Sequence, residues 1–364
     1  MTNKLQLIIN NYFKTKRYHL AKKNSGFTLI ELLVAMILAV LVITPLLGFM
    51  INILDTDRKE QAKVSSEQEI QTALDYIAQD LQQAIYIYDA RGIAGYTDSV
   101  SGITVDGIKD KLPYSDDTDK VPVLVFWKRA FEKQAIDVTV DGTSQGQNDT
   151  FVYSLVVYYL IKGSSDNDTW SDQFRIARFE LKDGIRNLDD PFDSDGDINY
   201  ISEPDDGFTL FELNNPAITG TLEDKMNSWR KDETITNSTY GSNNAAVLVD
   251  YIDSSQDDSF TGDCATVFDL SRYTSTKEAD KRKSLKVPAF EDTYQYSNSS
   301  ELEVFSNNSF YACVDVDTVS AKIFLRGNAL ARIDPRNNNY AESRQSYFPS
   351  ASVLVKGRGL IGTD

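Results

Sequence analysis

The sequence predicts an α+β fold: one long N-terminal helix leading into an antiparallel β-sheet head with long loops. Three observations carry this expectation. An uncharged apolar run fills residues 32–50. Behind it, Ile70, Leu74, Ile77, Leu81, Ile85 and Tyr88 recur at three- and four-residue spacings, the period of one helix face. From residue 89 the pattern changes to short segments rich in Val, Ile, Tyr and Phe, most of them bounded by polar turn residues.

The N-terminal part is justified by charge and length. Residues 1–26 hold Lys4, Lys14, Lys16, Arg17, Lys22 and Lys23 and no acid, while the whole chain carries 54 acidic against 37 basic residues, a net charge of −17. A basic leader before an apolar run places the leader in the cytoplasm and the chain beyond about residue 55 across the membrane. The run 32–50 spans about 28 Å as a helix, close to the hydrocarbon thickness of a bilayer. A secretory signal places its small-residue cleavage site after the apolar stretch. Here the small-residue junction Ser25-Gly26 comes before it, so a cut there leaves the apolar helix on the mature chain. Glu31 stands at the edge of that span, and an intramembrane carboxylate needs a partner or must snorkel to the interface. The cut supplies one candidate partner, a new α-amino group at Phe27, reached from a neighbouring copy of the helix.

These residues form a recognisable motif. Gly26-Phe27-Thr28-Leu29-Ile30-Glu31-Leu32-Leu33-Val34-Ala35 closely resembles the processing motif of type IV prepilins and type II secretion pseudopilins. The resemblance implies cleavage after Gly26 by a prepilin peptidase, N-methylation of Phe27, and a filament-assembly role for Glu31. It also implies a type IV pilin-like fold whose partners are other pilin or pseudopilin subunits and an inner-membrane assembly platform. The expected organisation is a cleaved leader (1–26), a transmembrane helix half (27–54), an amphipathic helix half (55–88), and a periplasmic or extracellular head (89–364).

A helix running from residue 27 to about 88 is on the order of 93 Å long. Pro45 and Gly48 interrupt its apolar half and are expected to bend or loosen it. In the head, strands are expected at 121–127, 151–161, 174–181, 208–212, 246–252, 310–315, 321–325 and 353–356. Polar stretches at 137–150, 163–172, 214–244, 253–262 and 271–300 read as surface loops, and a second subdomain after about 205 stays open. Tyr158-Tyr159-Leu160, Phe174-Arg175-Ile176-Ala177-Arg178 and Asp183-Gly184-Ile185 resemble the paired central strands of J-type minor pseudopilins.

The chemistry the chain can carry is narrow. Its only histidine, His19, lies in the leader, which removes imidazole-based catalysis and His-ligated zinc from everything after it. The acidic balance excludes a nucleic-acid partner, and no P-loop or GxGxxG pattern occurs. An enzyme is not expected. Cys264 and Cys313 both fall across the membrane, where an oxidising compartment favours a disulfide over two buried thiols. Asp193, Asp195, Asp197 and Asn199 alternate like the early ligands of a calcium loop. The glycine and late glutamate of an EF-hand are misplaced, so the alternatives are a calcium site or a solvated acidic loop; no other cofactor is indicated.

Together these features read as a minor, tip-proximal pseudopilin. The head is large for a repeating shaft subunit, and the family's K-type tip subunit characteristically lacks the glutamate found here at Glu31. Overall size and strand order are similar to pseudopilins of cyanobacterial hormogonium polysaccharide secretion, implying polysaccharide export and gliding motility. The alternatives are a type IV minor pilin acting in adhesion or pilus priming, and a general protein-secretion pseudopilin.

Overall fold

The computed structural model describes residues 26–97, 104–115, 117–140, 143–164, 169–214, 220–232, 234–235, 245–256, 264, 266–268, 284–289, 303–336 and 338–359. The expected leader and most of the expected loop at 271–300 lie outside these residues. The chain divides into two compact units, Met1–Asp57 and Arg58–Asp364.

In the first unit the described residues belong almost entirely to the helix α1 (Leu29–Leu81). Residues 26–57 are exposed throughout, including Leu33, Ile37, Leu41, Leu47 and Ile51. This helix is long and apolar enough to cross a membrane, by length and composition. The helical assignment runs unbroken through Pro45. Beside it, the Thr44 hydroxyl donates to the Val40 carbonyl at 2.8 Å.

In the second unit, the rest of α1 turns one stripe inward. Ile70, Ala73, Leu74, Ile77, Ala78 and Leu81 are buried, and each large aliphatic among them contributes roughly 1.5–3 kcal/mol by leaving water. After α1 come β1 (Ala84–Ile87), the short helix α2 (Ala90–Ala94), β2 (Tyr96–Thr97), β3 (Thr104–Val105), β4 (Lys120–Val140), β5 (Thr143–Ile161), β6 (Phe174–Lys182), β7 (Ile185–Arg186) and β8 (Tyr200–Ser202). Then follow α3 (Leu222–Asn227), β9 (Ala246–Ile252), β10 (Lys286–Val287), β11 (Phe310–Asp315), β12 (Ser320–Arg326) and β13 (Ser350–Lys356). Among the described residues, β1-β4-β5-β6-β9 form a five-stranded sheet and β10-β11-β12-β13 a four-stranded one. All of these pairs are antiparallel.

The two sheets share one core. Buried residues of α1 and of both sheets belong to a single hydrophobic cluster. They meet where Ile252 bridges Gly327, flanked by Asp253 N–H donating to the Arg326 carbonyl at 3.0 Å and Asn328 N–H to the Tyr251 carbonyl at 2.8 Å. The fit at this seam is close: a Cβ on Gly327 would stand 2.4 Å from Ile70 Cδ1 of the helix, so a larger residue makes that side chain shift. A buried pair reinforces it, Arg326 Nε donating to Asp253 Oδ2 at 2.7 Å.

The structure corrects the sequence expectations in three places. The helix stops at Leu81, not near residue 88, and residues 84–87 form β1. The reason is packing: β1 is buried on both faces, and Tyr86 pairs with Trp127 of β4. The expected loop at 137–150 is mostly strand, because β4 and β5 continue as a two-stranded ribbon pairing Ile136 with Asn148 and Val138 with Gly146. The expected strand at 208–212 is irregular. Phe208 and Phe211 both pack edge-on against Trp127, and residues three apart cannot share one face of a period-two strand.

Candidate functional site

The N-terminal motif is built around the first turn of α1. Gly26 and Phe27 are exposed, with Phe27 85% accessible and nothing within 4 Å of the position a Cβ would take at Gly26. Thr28 and Glu31 then form a reciprocal cap. Glu31 N–H donates to Thr28 Oγ1 at 3.3 Å, while Thr28 N–H and Thr28 Oγ1–H both donate to Glu31 Oε2 at 3.1 Å. This is a capping box, which satisfies backbone donors that the first turn of a helix leaves without partners. The Thr-x-x-Glu spacing announces this cap in the sequence, beside the charge of Glu31.

A second constellation, which the sequence reading missed, fixes the head-side end of α1 to the five-stranded sheet. Asp80 is 7% exposed. Its Oδ1 accepts from Lys128 Nζ of β4 at 2.8 Å, and its Oδ2 accepts from Arg178 Nε of β6 at 2.7 Å and from the Tyr158 hydroxyl of β5 at 2.8 Å. Glu180 closes the group, 2.9 Å from Lys128 Nζ and 2.8 Å from Arg178 Nη2. Two carboxylates and two cations thus balance inside the head. Burial alone would raise the Asp80 carboxyl, but the hydrogen bonds and charges of Arg178 and Lys128 outweigh it and hold the group below its ordinary range. Burial likewise opposes ionisation of Glu180, and the same two cations lower it. A signal was present: Asp80 falls three residues after Ile77, in the phase of the apolar stripe, and Arg178 and Glu180 alternate in register with buried Ile176.

The acidic loop carries a compact turn. Phe192 bridges Ile198, and Asp193 Oδ1 accepts from the N–H groups of Asp195 and Asp197, each at 2.9 Å. Asn199 N–H donates to the Pro191 carbonyl at 3.0 Å. Asp193 thus spends one carboxylate oxygen on its own backbone. Among the described residues, no group of three or more His, Cys, Asp or Glu side chains is arranged to hold a metal ion, and Asp193, Asp195 and Asp197 do not converge into one.

Cys264 and Cys313 are joined by a disulfide, with Cα atoms 5.5 Å apart. Cys313 lies in β11 opposite Lys286 of β10 and Lys322 of β12. The bridge forms a small buried cluster with Leu285 and Tyr311, and ties residue 264 to the four-stranded sheet.

Residues 21–47 match the family model of the prokaryotic N-terminal methylation motif. That segment contains the exposed Gly26-Phe27 junction, the capping box and the start of the apolar helix. The match supports a type IV pilin or pseudopilin subunit, processed by prepilin peptidase and assembled with other pilin subunits in the membrane. No curated protein and no solved structure matches the chain.

Proposed function

We propose that the chain is cleaved after Gly26, methylated on Phe27, held in the membrane by residues 27–54 with its head outside the cytoplasm, and built into a short filament as a minor pseudopilin. One observation carries this reading. The methylation motif sits at the capped start of an apolar, fully exposed helix whose later turns, from residue 62, supply the core of a large β-rich head. An exposed run of Leu, Ile, Val, Met and Phe is stable only when lipid or neighbouring helices cover it, and a pilin subunit meets both in turn.

Within that role the subunit is tip-proximal. The head carries the long ribbon of β4 and β5 and a four-stranded sheet beyond the five-stranded one, and such bulk crowds a tightly wound shaft. Glu31 is present, which argues against the K-type tip subunit, and the strand segments of β5 and β6 resemble J-type minor pseudopilins. The similarity to hormogonium secretion pseudopilins extends the proposal to polysaccharide export and motility.

Mass spectrometry of the N-terminal peptide from membrane-purified protein tests the first level. The expected species begins at Phe27 and carries one methyl group; an intact leader, or a cut beyond residue 50, overturns the reading. Deletion of the gene tests the second. Loss of extracellular polysaccharide and gliding with protein secretion intact supports it, whereas a general secretion defect assigns the subunit to protein export.

A further inference from the structure

A cleft of about 600 Å³ opens in the head beside residues 65–73 of α1, with β9 along its other wall and Trp170 among its lining residues. We propose that this cleft binds a neutral saccharide, one sugar ring stacking on Trp170. The volume suits a small ligand. Trp170 keeps 37% of its surface exposed, whereas the chain's other two tryptophans, Trp127 and Trp229, are buried in the core. Among the described residues no ring stacks on Trp170. A half-exposed indole in a concave wall offers a flat apolar face beside water, which suits the C–H face of a pyranose.

The remaining lining combines the apolar residues Ala73, Val247, Leu248 and Val249 with polar groups that are held in place. Glu69 is fixed by Arg332, whose Nη2 bonds its Oε2 while Nε donates to Ser66 Oγ at 3.1 Å. Asp250 is fixed by Ser171, whose N–H and hydroxyl donate to its two oxygens at 2.9 and 2.7 Å, and by Tyr251 N–H at 2.8 Å. Each carboxylate has about four acceptor positions. Those left over are oriented acceptors whose rotamers are already locked, the arrangement that recognises hydroxyl groups at low ordering cost. The Gln68 side-chain amide supplies both donors and an acceptor, and Thr72 adds a hydroxyl that already donates to the Gln68 carbonyl at 2.8 Å. β9 ends the five-stranded sheet, so its outer backbone edge has no strand partner over Leu248 among the described residues.

The same chemistry excludes other ligands. Arg332 neutralises Glu69, but among the described lining residues no cation offsets Asp250, whose charge disfavours phosphates and uronates. Among the described residues, no group of three or more His, Cys, Asp or Glu side chains gathers here to hold a metal ion. This inference stands apart from the filament assignment, which the N-terminal mass decides separately.

The test uses the full chain in a detergent without a sugar headgroup, titrated with cellopentaose, maltopentaose and pentagalacturonate while tryptophan fluorescence and heat are recorded. At least one neutral pentasaccharide is expected to bind, with Trp170→Ala weakening it about tenfold or more, a loss equal to roughly 1.4 kcal/mol. Gln68→Leu, on the exposed side of α1, is expected to weaken it as well without shifting the melting temperature. Pentagalacturonate is expected not to bind. Absence of binding by both neutral probes at millimolar concentration overturns the proposal. So does equal affinity in both variants, or tighter binding of the galacturonate.

Discussion

Arg178 Nε of β6 donates to Asp80 Oδ2 of α1 across 2.7 Å, joining the helix to the sheet through an ion pair that water barely reaches. The pair is one edge of a four-charge group with Lys128 and Glu180. Such a group contributes little net stability against an apolar replacement, but breaking it is costly because the remaining charges are stranded. Its value here is directional. Hydrophobic contacts along Ile70, Leu74, Ile77 and Leu81 tolerate sliding by a turn, whereas Asp80 reaches Lys128, Arg178 and Tyr158 at one register of helix on sheet.

Asp80→Asn is therefore expected to destabilise the head by about 3–5 kcal/mol, since Lys128 and Arg178 are left with Glu180 alone. Guanidinium denaturation should show a lower midpoint with an unchanged slope. The double variant Asp80→Asn/Lys128→Met restores the charge balance and should recover part of the loss. A double variant no more stable than the single one would mean that the hydrogen bonds to Asp80, and not the charges, carry the cost.

The same group sets an acid limit. Asp80 and Glu180 are held below their ordinary values of 3.8 and 4.5. A carboxyl with a depressed native pKa contributes stability that is fully present above its unfolded value and is lost as pH falls through its native value. The contribution of these two groups should accordingly hold level from neutral pH down to about 4.5 and fall below it, against the opposite pull of Asp183, Asp205 and Asp253, whose carboxyls burial raises. In Asp80→Asn the slope below pH 4 should be shallower, because one of the two titrations is gone. Identical slopes in both proteins would place the acid sensitivity elsewhere in the head.

Much of this fold was legible, and each failure has its own physical cause. The strands at Ala246–Ile252 and Phe310–Asp315 appear where their β-branched and aromatic runs place them, and the buried stripe of α1 follows its sequence period. Ile85 and Tyr88 continued that period by coincidence: residues 84–87 are apolar at every position, which suits a strand buried on both faces as well as a helix end. The ribbon at 137–150 was hard to read for a different reason. Ile136, Val138 and Val140 do alternate with polar residues, but the facing arm 143–150 is polar throughout and among the described residues no third strand pairs with it, so it looks like a loop. The capping box is legible as Thr-x-x-Glu, although the same Glu31 also carries the charge that an apolar span makes conspicuous. Asp80 needed the partner strands to be interpreted at all, since its ligands lie 48, 78 and 98 residues away.

Reduction of the Cys264–Cys313 bridge should lower the stability of the head. Closing a 49-residue separation is worth about 4 kcal/mol on the loop-entropy model. Melting with and without reductant measures the loss, and non-reducing peptide mapping of protein exported across the membrane should recover the two cysteines in one crosslinked fragment. Cys313 is fully buried, so alanine there adds a packing defect, and reduction of the native chain is the cleaner comparison. A midpoint unmoved by complete reduction would show that the surrounding cluster of Leu285 and Tyr311 holds residue 264 in place unaided.

Glu31 has two separable properties, a charge and a cap, and substitutions can remove one at a time. Glutamine also serves at this position of a capping box, so Glu31→Gln keeps an acceptor for Thr28 N–H and removes only the charge. Thr28→Val does the converse, removing the hydroxyl from the cap at a cost of about 0.5–2 kcal/mol in helix stability while leaving the carboxylate. In the proposed assembly step the carboxylate meets the α-amino group of a neighbour's Phe27 in a low-dielectric setting, where an unmatched charge is heavily penalised. Glu31→Gln should then be cleaved, methylated and retained in the membrane, because an amide is cheaper to bury than an unpaired carboxylate. It should nevertheless fail to crosslink to partner subunits, while Thr28→Val still assembles. The reverse outcome, with Glu31→Gln incorporated normally and Thr28→Val excluded, would assign the pair to ordering the first helical turn. A defect confined to cleavage would instead place Glu31 in peptidase recognition.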